Sequence, residues 1–182
     1  MSIGDAEIKT QERVINFFKD PEILGYQYIG NLSDYQNKNI KEDRLRQYLR
    51  LKGYADKLID GAVTQLQQEA GNLSRGVYDA NKTVYSRLKY GIPVSESPEK
   101  PPVTVELIDE ANPLNNDFAI AEEVTVVEQQ EKRPDLVIYL NGIAVAVIEL
   151  KRSSISVSEG IRQNLTNQKD SFIRGFFTTM QF

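Results

Sequence analysis

The sequence predicts an α/β fold, a central mixed sheet flanked by helices, on three observations. Apolar residues recur at helical spacing in several separate segments of the first half. Runs rich in β-branched and aromatic residues gather in the second half. Two of those runs, Asp135 to Leu140 and Ile143 to Leu150, are joined by Asn141-Gly142, the strongest short-range hairpin signal. A chain of 182 residues is ample for one domain with a real core, so residues 1–182 are read as a single unit.

The elements follow in order. A first helix covers Asp5 to Lys19, and Gly25 to Asn31 reads as a short strand. Three helical patterns come next, near Asn39 to Lys52, Ala55 to Ala70 and Val77 to Tyr90, with Gly53, Gly71 and Gly91 placed where helices commonly end. Leu58, Ile59, Ala62, Val63 and Leu66 form a helical core stripe. Pro93, Pro98, Pro101 and Pro102 mark a loop without requiring a domain boundary. Strands are expected near Val103 to Asp109 and Phe118 to Glu128, then the hairpin, then a helix begun by Ser158 and Glu159. The apolar stretch Gly175 to Phe182 reads as the start of another strand. No internal repeat or low-complexity tract interrupts this pattern.

Composition narrows the chemistry. The chain has no Cys, which removes disulfides and thiolate metal sites, and no His, which removes Ser-His-Asp hydrolysis and every His-dependent metal or phosphodiester mechanism. Carboxylate and Lys chemistry remain. No apolar run is long enough to span a bilayer, and Met1-Ser-Ile-Gly-Asp5 lacks a signal-peptide pattern, so the expected compartment is the cytoplasm.

The hairpin carries that chemistry at its open end. Side chains alternate along a strand, so Glu149 and Lys151 share one face while Leu150 turns away. Asp135 joins them only in one register. An unbulged two-residue loop pairs Leu140 with Ile143 and sets Asp135 opposite Ile148, on the wrong face. A three-residue loop, or a bulge further along, shifts the pairing by one and brings Asp135 opposite Glu149. The expectation is that shifted register.

Two carboxylates at one place would hold Mg²⁺, a hard ion that keeps several waters, and the ion would acidify a water and polarise a phosphoryl group. Lys151 would orient the attacking water or stabilise the pentacovalent phosphate. Glu-x-Lys alone is often a solvated ion pair at a strand end. Pro134-Asp135 on the partner strand and the doubly buried character of Ile-Ala-Val-Ala-Val-Ile strengthen the functional reading.

These residues resemble a known family. Pro134-Asp135 followed by Glu149-Leu150-Lys151 is similar to the PD-(D/E)xK nuclease signature, and the run from Arg133 to Lys151 resembles the N-terminal nuclease domain of the restriction (R, HsdR) subunit of type I restriction-modification enzymes. Leu107-Ile108-Asp109 and Asn115-Asn116-Asp117-Phe118 resemble the segment that family carries before its catalytic hairpin. Ile161 to Asn167 and Lys169-Asp170-Ser171-Phe172 resemble its helix with a Gln-x-x-x-Tyr motif, with Gln163 in place and Asn167 standing where the family has Tyr.

The resemblance implies a restriction-endonuclease-like fold and a Mg²⁺-dependent endonuclease with Asp135, Glu149 and Lys151 in catalytic roles, Asp135 and Glu149 as metal ligands, and Gln163 serving both DNA contact and nuclease activity. It also implies an acidic residue on the first helix facing the metal. Glu12 is the best placed, Glu7 less so, and a Glu near a helix start also simply meets the macrodipole. The implied partners are double-stranded DNA and the methyltransferase (M) and specificity (S) subunits.

Family R subunits continue into ATP-driven translocase domains. This chain has no Gly-x-x-x-x-Gly-Lys-Ser/Thr loop and its last residues lie in an apolar run, so it is expected to be the nuclease module alone, neither binding nor hydrolysing ATP.

The formal net charge of −4 does not itself suggest a DNA-binding protein. Local clusters matter more. Lys38, Lys41, Arg44, Arg46, Arg50 and Lys52 fall in one helical stretch, interspersed with Glu42 and Asp43, and read first as a solvated face. Lys151, Arg152, Arg162, Lys169 and Arg174 surround the proposed site, and Lys151, Arg152, Arg162, Gln163 and Lys169 are the expected DNA contacts. Without a reading helix or zinc finger, sequence-indifferent binding is expected. Two other readings remain: a nuclease fold kept only for docking, and a repair or junction nuclease of the same superfamily.

Overall fold

The structure, a computed structural model, describes residues 3–150 and 157–181. Helix α1 (Ile3–Lys19) leads into strand β1 (Gln27–Asn31), and helices α2 (Glu42–Leu51), α3 (Asp56–Gly71) and α4 (Val77–Tyr90) follow. A short ribbon of β2 (Ile92–Val94) and β3 (Val103–Val105) precedes β4 (Phe118–Glu122), a second ribbon of β5 (Val126–Val127) and β6 (Glu131–Lys132), and the hairpin β7 (Leu136–Leu140) and β8 (Ile143–Ile148). Helix α5 (Val157–Asn167) and a 3₁₀ segment, Arg174–Thr179, close the described chain.

The central sheet runs β1-β4-β7-β8, with β1 parallel to β4 and the other pairs antiparallel. It is mixed and flanked by helices, as the patterning predicts. One face packs Ile120 and Leu136 against Ile15 of α1, with Phe18, Ile148 and Leu150 alongside. The other packs Ala119, Ala121, Val137 and Tyr139 against Ile173, Phe176 and Phe177. A third cluster joins α2, α3 and α4 to Leu107, Ile143 and Val145 at the turn end of the hairpin.

The hairpin register is the expected shifted one, reached by the bulge and not by a longer loop. Leu140 pairs with Ile143 across a two-residue turn in which Asn141 (φ 52) and Gly142 (φ 82) both take left-handed conformations, as a type I′ turn requires. Pairing then slips between Ile138 and Tyr139, whose partners are Ala146 and Ala144, so Val145 is the extra residue. Beyond the slip, Leu136 pairs with Ile148.

The bulge has visible causes at the sheet edge. Ala144 N–H donates to Asn39 O (2.8 Å), Gln181 N–H donates to Val145 O (2.8 Å), and the Thr179 hydroxyl donates to Ala144 O (2.7 Å). Backbone groups of β8 thus bond to flanking loops where a further strand would otherwise pair, and the extra residue is accommodated.

Three expectations need correction. The strand expected from Gly175 to Phe182 is instead 3₁₀ over Arg174–Thr179, with Phe182 outside the described residues. Phe176, Phe177, Thr178 and Thr179 are all buried, and the segment is closed by short-range bonds: the Phe176 N–H donates to Ile173 O, the Met180 N–H to Phe177 O and the Thr178 hydroxyl to Gly175 O. The strand expected from Phe118 to Glu128 breaks at Glu123, whose φ is 50, and becomes β4 and β5. The strand expected to Asp109 stops at Val105, because the chain beyond it bonds to side chains and not to a neighbouring strand.

Candidate functional site

Asp135 precedes β7 and Glu149 follows β8. Continuing the register by one residue past the Leu136 and Ile148 pair sets them across from each other. Ile148 and Leu150 both pack on the α1 face, so Glu149 between them turns to the opposite face, the one shared by Val137 and Val147. The two carboxylates are half-buried. Asp135 Oδ2 accepts the Leu150 N–H at 2.6 Å, which ties the end of one strand to the other across the opening.

Helix α5 reaches the carboxylates from this side. Gln163, exposed on it, donates from Nε2 to Glu149 Oε2 at 2.8 Å. Asp135, Glu149 and Gln163 therefore come together. Asn167, four residues further on, is only 3 % exposed, so it does not share a solvated face with Gln163. Its carbonyl accepts the Ile173 N–H at 3.1 Å where the chain folds back after α5.

Lys151 and Arg152 lie outside the described residues. Arg162 and Lys169 are exposed, Arg162 lying 3.5 Å from the Ser158 hydroxyl. Arg174 pairs with Asp170 at 2.6 Å.

Glu12 lies on the other side of the sheet. It lines a cavity of 650 Å³ with Gln11, Tyr28, Glu122, Glu123 and Arg133, and neither Asp135 nor Glu149 lines that cavity. Gln11 Nε2 and the Tyr28 hydroxyl donate to the two oxygens of Glu122, at 2.7 and 2.5 Å, and Arg133 pairs with Glu123 at 2.8 Å. Burial, together with the neighbouring Glu122, pushes the Tyr28 hydroxyl up to about 12. The sequence reading missed this arrangement, which joins residues more than ninety positions apart in the chain. The link to the carboxylate pair is backbone: Glu123 N–H donates to Asp135 O at 2.8 Å.

Two carboxylates at a strand end fit a hard cation that binds through one or two acidic side chains and keeps its waters. Among the described residues no group of three or more His, Cys, Asp or Glu is placed to hold a metal ion. The described residues thus form no fully protein-ligated cage, and their arrangement is compatible with a water-rich Mg²⁺ site on Asp135 and Glu149.

The basic stretch around α2 is engaged within the fold. Arg44 pairs with Asp117 (2.6 Å), Arg46 with Glu42 and Asp60 (2.7 and 2.5 Å), Arg50 with Asp56 (2.9 Å) and Lys52 with Asp109 (2.9 Å). Lys41 reaches Asn37 Oδ1 at 3.2 Å, and burial plus Arg44 hold its amine below the ordinary range.

The segment before the hairpin has a structural role that its residues did not announce in sequence. Asn141, fully buried, donates to Leu107 O and Asn116 Oδ1 and accepts the Asp117 N–H, at 2.8, 2.8 and 2.7 Å. Asn116 in turn accepts the Asp109 N–H at 2.8 Å and donates to Asp109 O at 3.0 Å. This network clamps the turn to residues 107–117 and holds the hairpin that presents Asp135 and Glu149.

Residues 7–182 match the family model described as type I restriction enzyme R protein N terminus. The putative type I restriction enzyme MjaIXP endonuclease subunit of Methanocaldococcus jannaschii is 33 % identical over 97 residues, covering 49 % of this chain and 9 % of that protein. The match thus spans a small fraction of the relative's length.

Proposed function

We propose, from the premise that this chain belongs to the family of type I restriction enzyme R protein N termini, that it is the Mg²⁺-dependent endonuclease domain of such a subunit, hydrolysing DNA phosphodiester bonds without reading sequence itself. Membership in the family supports the restriction endonuclease role. One structural observation carries the finer reading: the Val145 bulge sets the register that turns Asp135 and Glu149 to one face, where Gln163 engages Glu149.

Asp135 and Glu149 would hold Mg²⁺, which when bound supplies an acidified water and a polarised phosphate. The Leu150 N–H fixes the Asp135 carboxylate, and the Gln163 amide orients that of Glu149, as partners behind metal ligands do. Lys151, two residues past Glu149, supplies the amine of the pattern and would stabilise charge on the phosphate. Arg152, Arg162 and Lys169 would follow the phosphate backbone, contacts that position DNA without specifying sequence. The engagement of the α2 cations in ion pairs argues against that helix as the DNA track. Target choice is assigned to the specificity subunit, with the methyltransferase subunit as the further partner, and the working compartment to the cytoplasm.

Calorimetric Mg²⁺ titration of the chain, of Asp135→Ala and of Glu149→Ala, paired with plasmid nicking at low salt, tests this. Binding present in the parent and lost in both variants, with nicking lost alongside, is expected. Variants that bind and nick like the parent would sink the assignment.

A further inference from the structure

The face that carries the carboxylates also carries a second recess beside them. It measures 420 Å³ and is walled by Tyr78, Asn81, Val147, Asn164, Gln168 and Phe177, among others. Val147 lies two residues before Glu149 on the same face, and Asn164 follows Gln163 on α5, so the recess adjoins the site.

Its lining is unusual for the neighbour of a phosphate-handling site. Asn81, Asn164, Gln168 and Gln181 bring side-chain amides, Tyr78 and Phe177 bring rings, and among the described residues no carboxylate, Lys or Arg lines it. The Asn81 amide donates to Thr178 O and Met180 O, at 3.2 and 2.5 Å, which fixes the wall. Asn164 Oδ1 is shielded from solvent and has no hydrogen-bond partner among the described residues. An acceptor in that position is costly unless a donor arrives. Tyr78, by contrast, is 77 % exposed and lies at the recess as a bare ring.

A phosphate would need cations here, and the described lining offers amides and rings instead. A neutral planar group with N–H donors on its edge and a stackable face suits every feature. We propose that this recess takes an unstacked nucleobase adjoining the scissile phosphate, its face on the Tyr78 ring and its N–H edge on Asn164, whose side chain turns its unpartnered Oδ1 to the base on binding. Each nucleobase can present an N–H donor and a π face, so the recess grips DNA without selecting sequence. The inference rests on the DNA-cleaving role argued above.

The test is fluorescence anisotropy of the chain with a labelled oligothymidylate and with an abasic oligomer of equal length, both without metal ion. Stacking and one edge contact predict about tenfold tighter binding of the oligothymidylate. Tyr78→Ala, at an exposed position, and Asn164→Leu should abolish that preference while leaving abasic affinity unchanged. Equal binding of the two oligomers, or a preference that survives both substitutions, overturns the recess as a base site. If Mg²⁺ titration still reports Asp135 and Glu149 as ligands in that case, the nuclease reading stands without it. No binding of either oligomer overturns this inference, and plasmid nicking then decides the nuclease reading separately.

Discussion

At the turn end of the β7–β8 hairpin, Asn141 is fully buried and its amide is engaged by Leu107, Asn116 and Asp117. At the open end, Asp135 and Glu149 are half-buried, and the side chain that reaches Glu149, Gln163, is exposed on a helix. Both ends are polar, and both belong to the same pair of strands. The difference is that burial makes the first end a fastening for the fold, whereas partial exposure keeps the second within reach of the cation and water proposed for it. Charged or amide chemistry in a sequence is therefore ambiguous until burial is known.

The comparison breaks most easily at Asn141. Asn141→Ala removes three hydrogen bonds in a dry site and leaves Leu107 O and Asp117 N–H without their partner, each such group being worth about 1 to 3 kcal/mol. The residue also occupies φ 52, which Asn tolerates better than Ala. A loss of about 3 kcal/mol or more in urea unfolding is expected. A loss under about 1 kcal/mol would show that the network is not what fastens the turn.

Gln163→Ala should behave in the opposite way. The side chain is exposed, so stability should stay within about 0.5 kcal/mol. Removing the group that orients a ligand carboxylate should weaken Mg²⁺ binding about tenfold. Calorimetry and urea unfolding on the same protein separate the two effects. A variant that loses stability without losing metal affinity would make the open end another fastening.

Much of this was legible in sequence because the signals were local. Asn141-Gly142 dictates a two-residue turn, and counting residues shows that only a shifted register joins Asp135 to Glu149. The location of the slip was not legible, since it depends on Asn39, Thr179 and Gln181 bonding to the edge of β8 from distant parts of the chain. Gly175 to Phe182 misled for a related reason: a largely buried 3₁₀ turn and a buried strand have the same apolar composition. Asn115-Asn116-Asp117 carried family likeness but no hint of clamping a turn, because the partner Asn141 is twenty-five residues from Asn116.

Asp109 gives the finest test, because it is the outer node of the turn network and is charged. Its carboxylate accepts from Lys52, Asn115 and the Asn112 N–H, and these bonds, the Lys52 amine foremost, hold its pKa down to about 2 from an ordinary 3.8. Because the folded value is the lower one, the contribution is complete above the ordinary value. As pH falls below it, the unfolded chain takes up the proton first, and the stabilisation fades between about pH 4 and pH 2. Asp109→Asn keeps the shape and removes the charge. The stability difference between parent and variant, followed by urea unfolding from pH 6 downward, should hold steady to about pH 4 and then shrink. A difference that stays constant through pH 2 would mean that shape alone holds residues 107–117 to the turn, and that the carboxylate's charge adds nothing to the fastening.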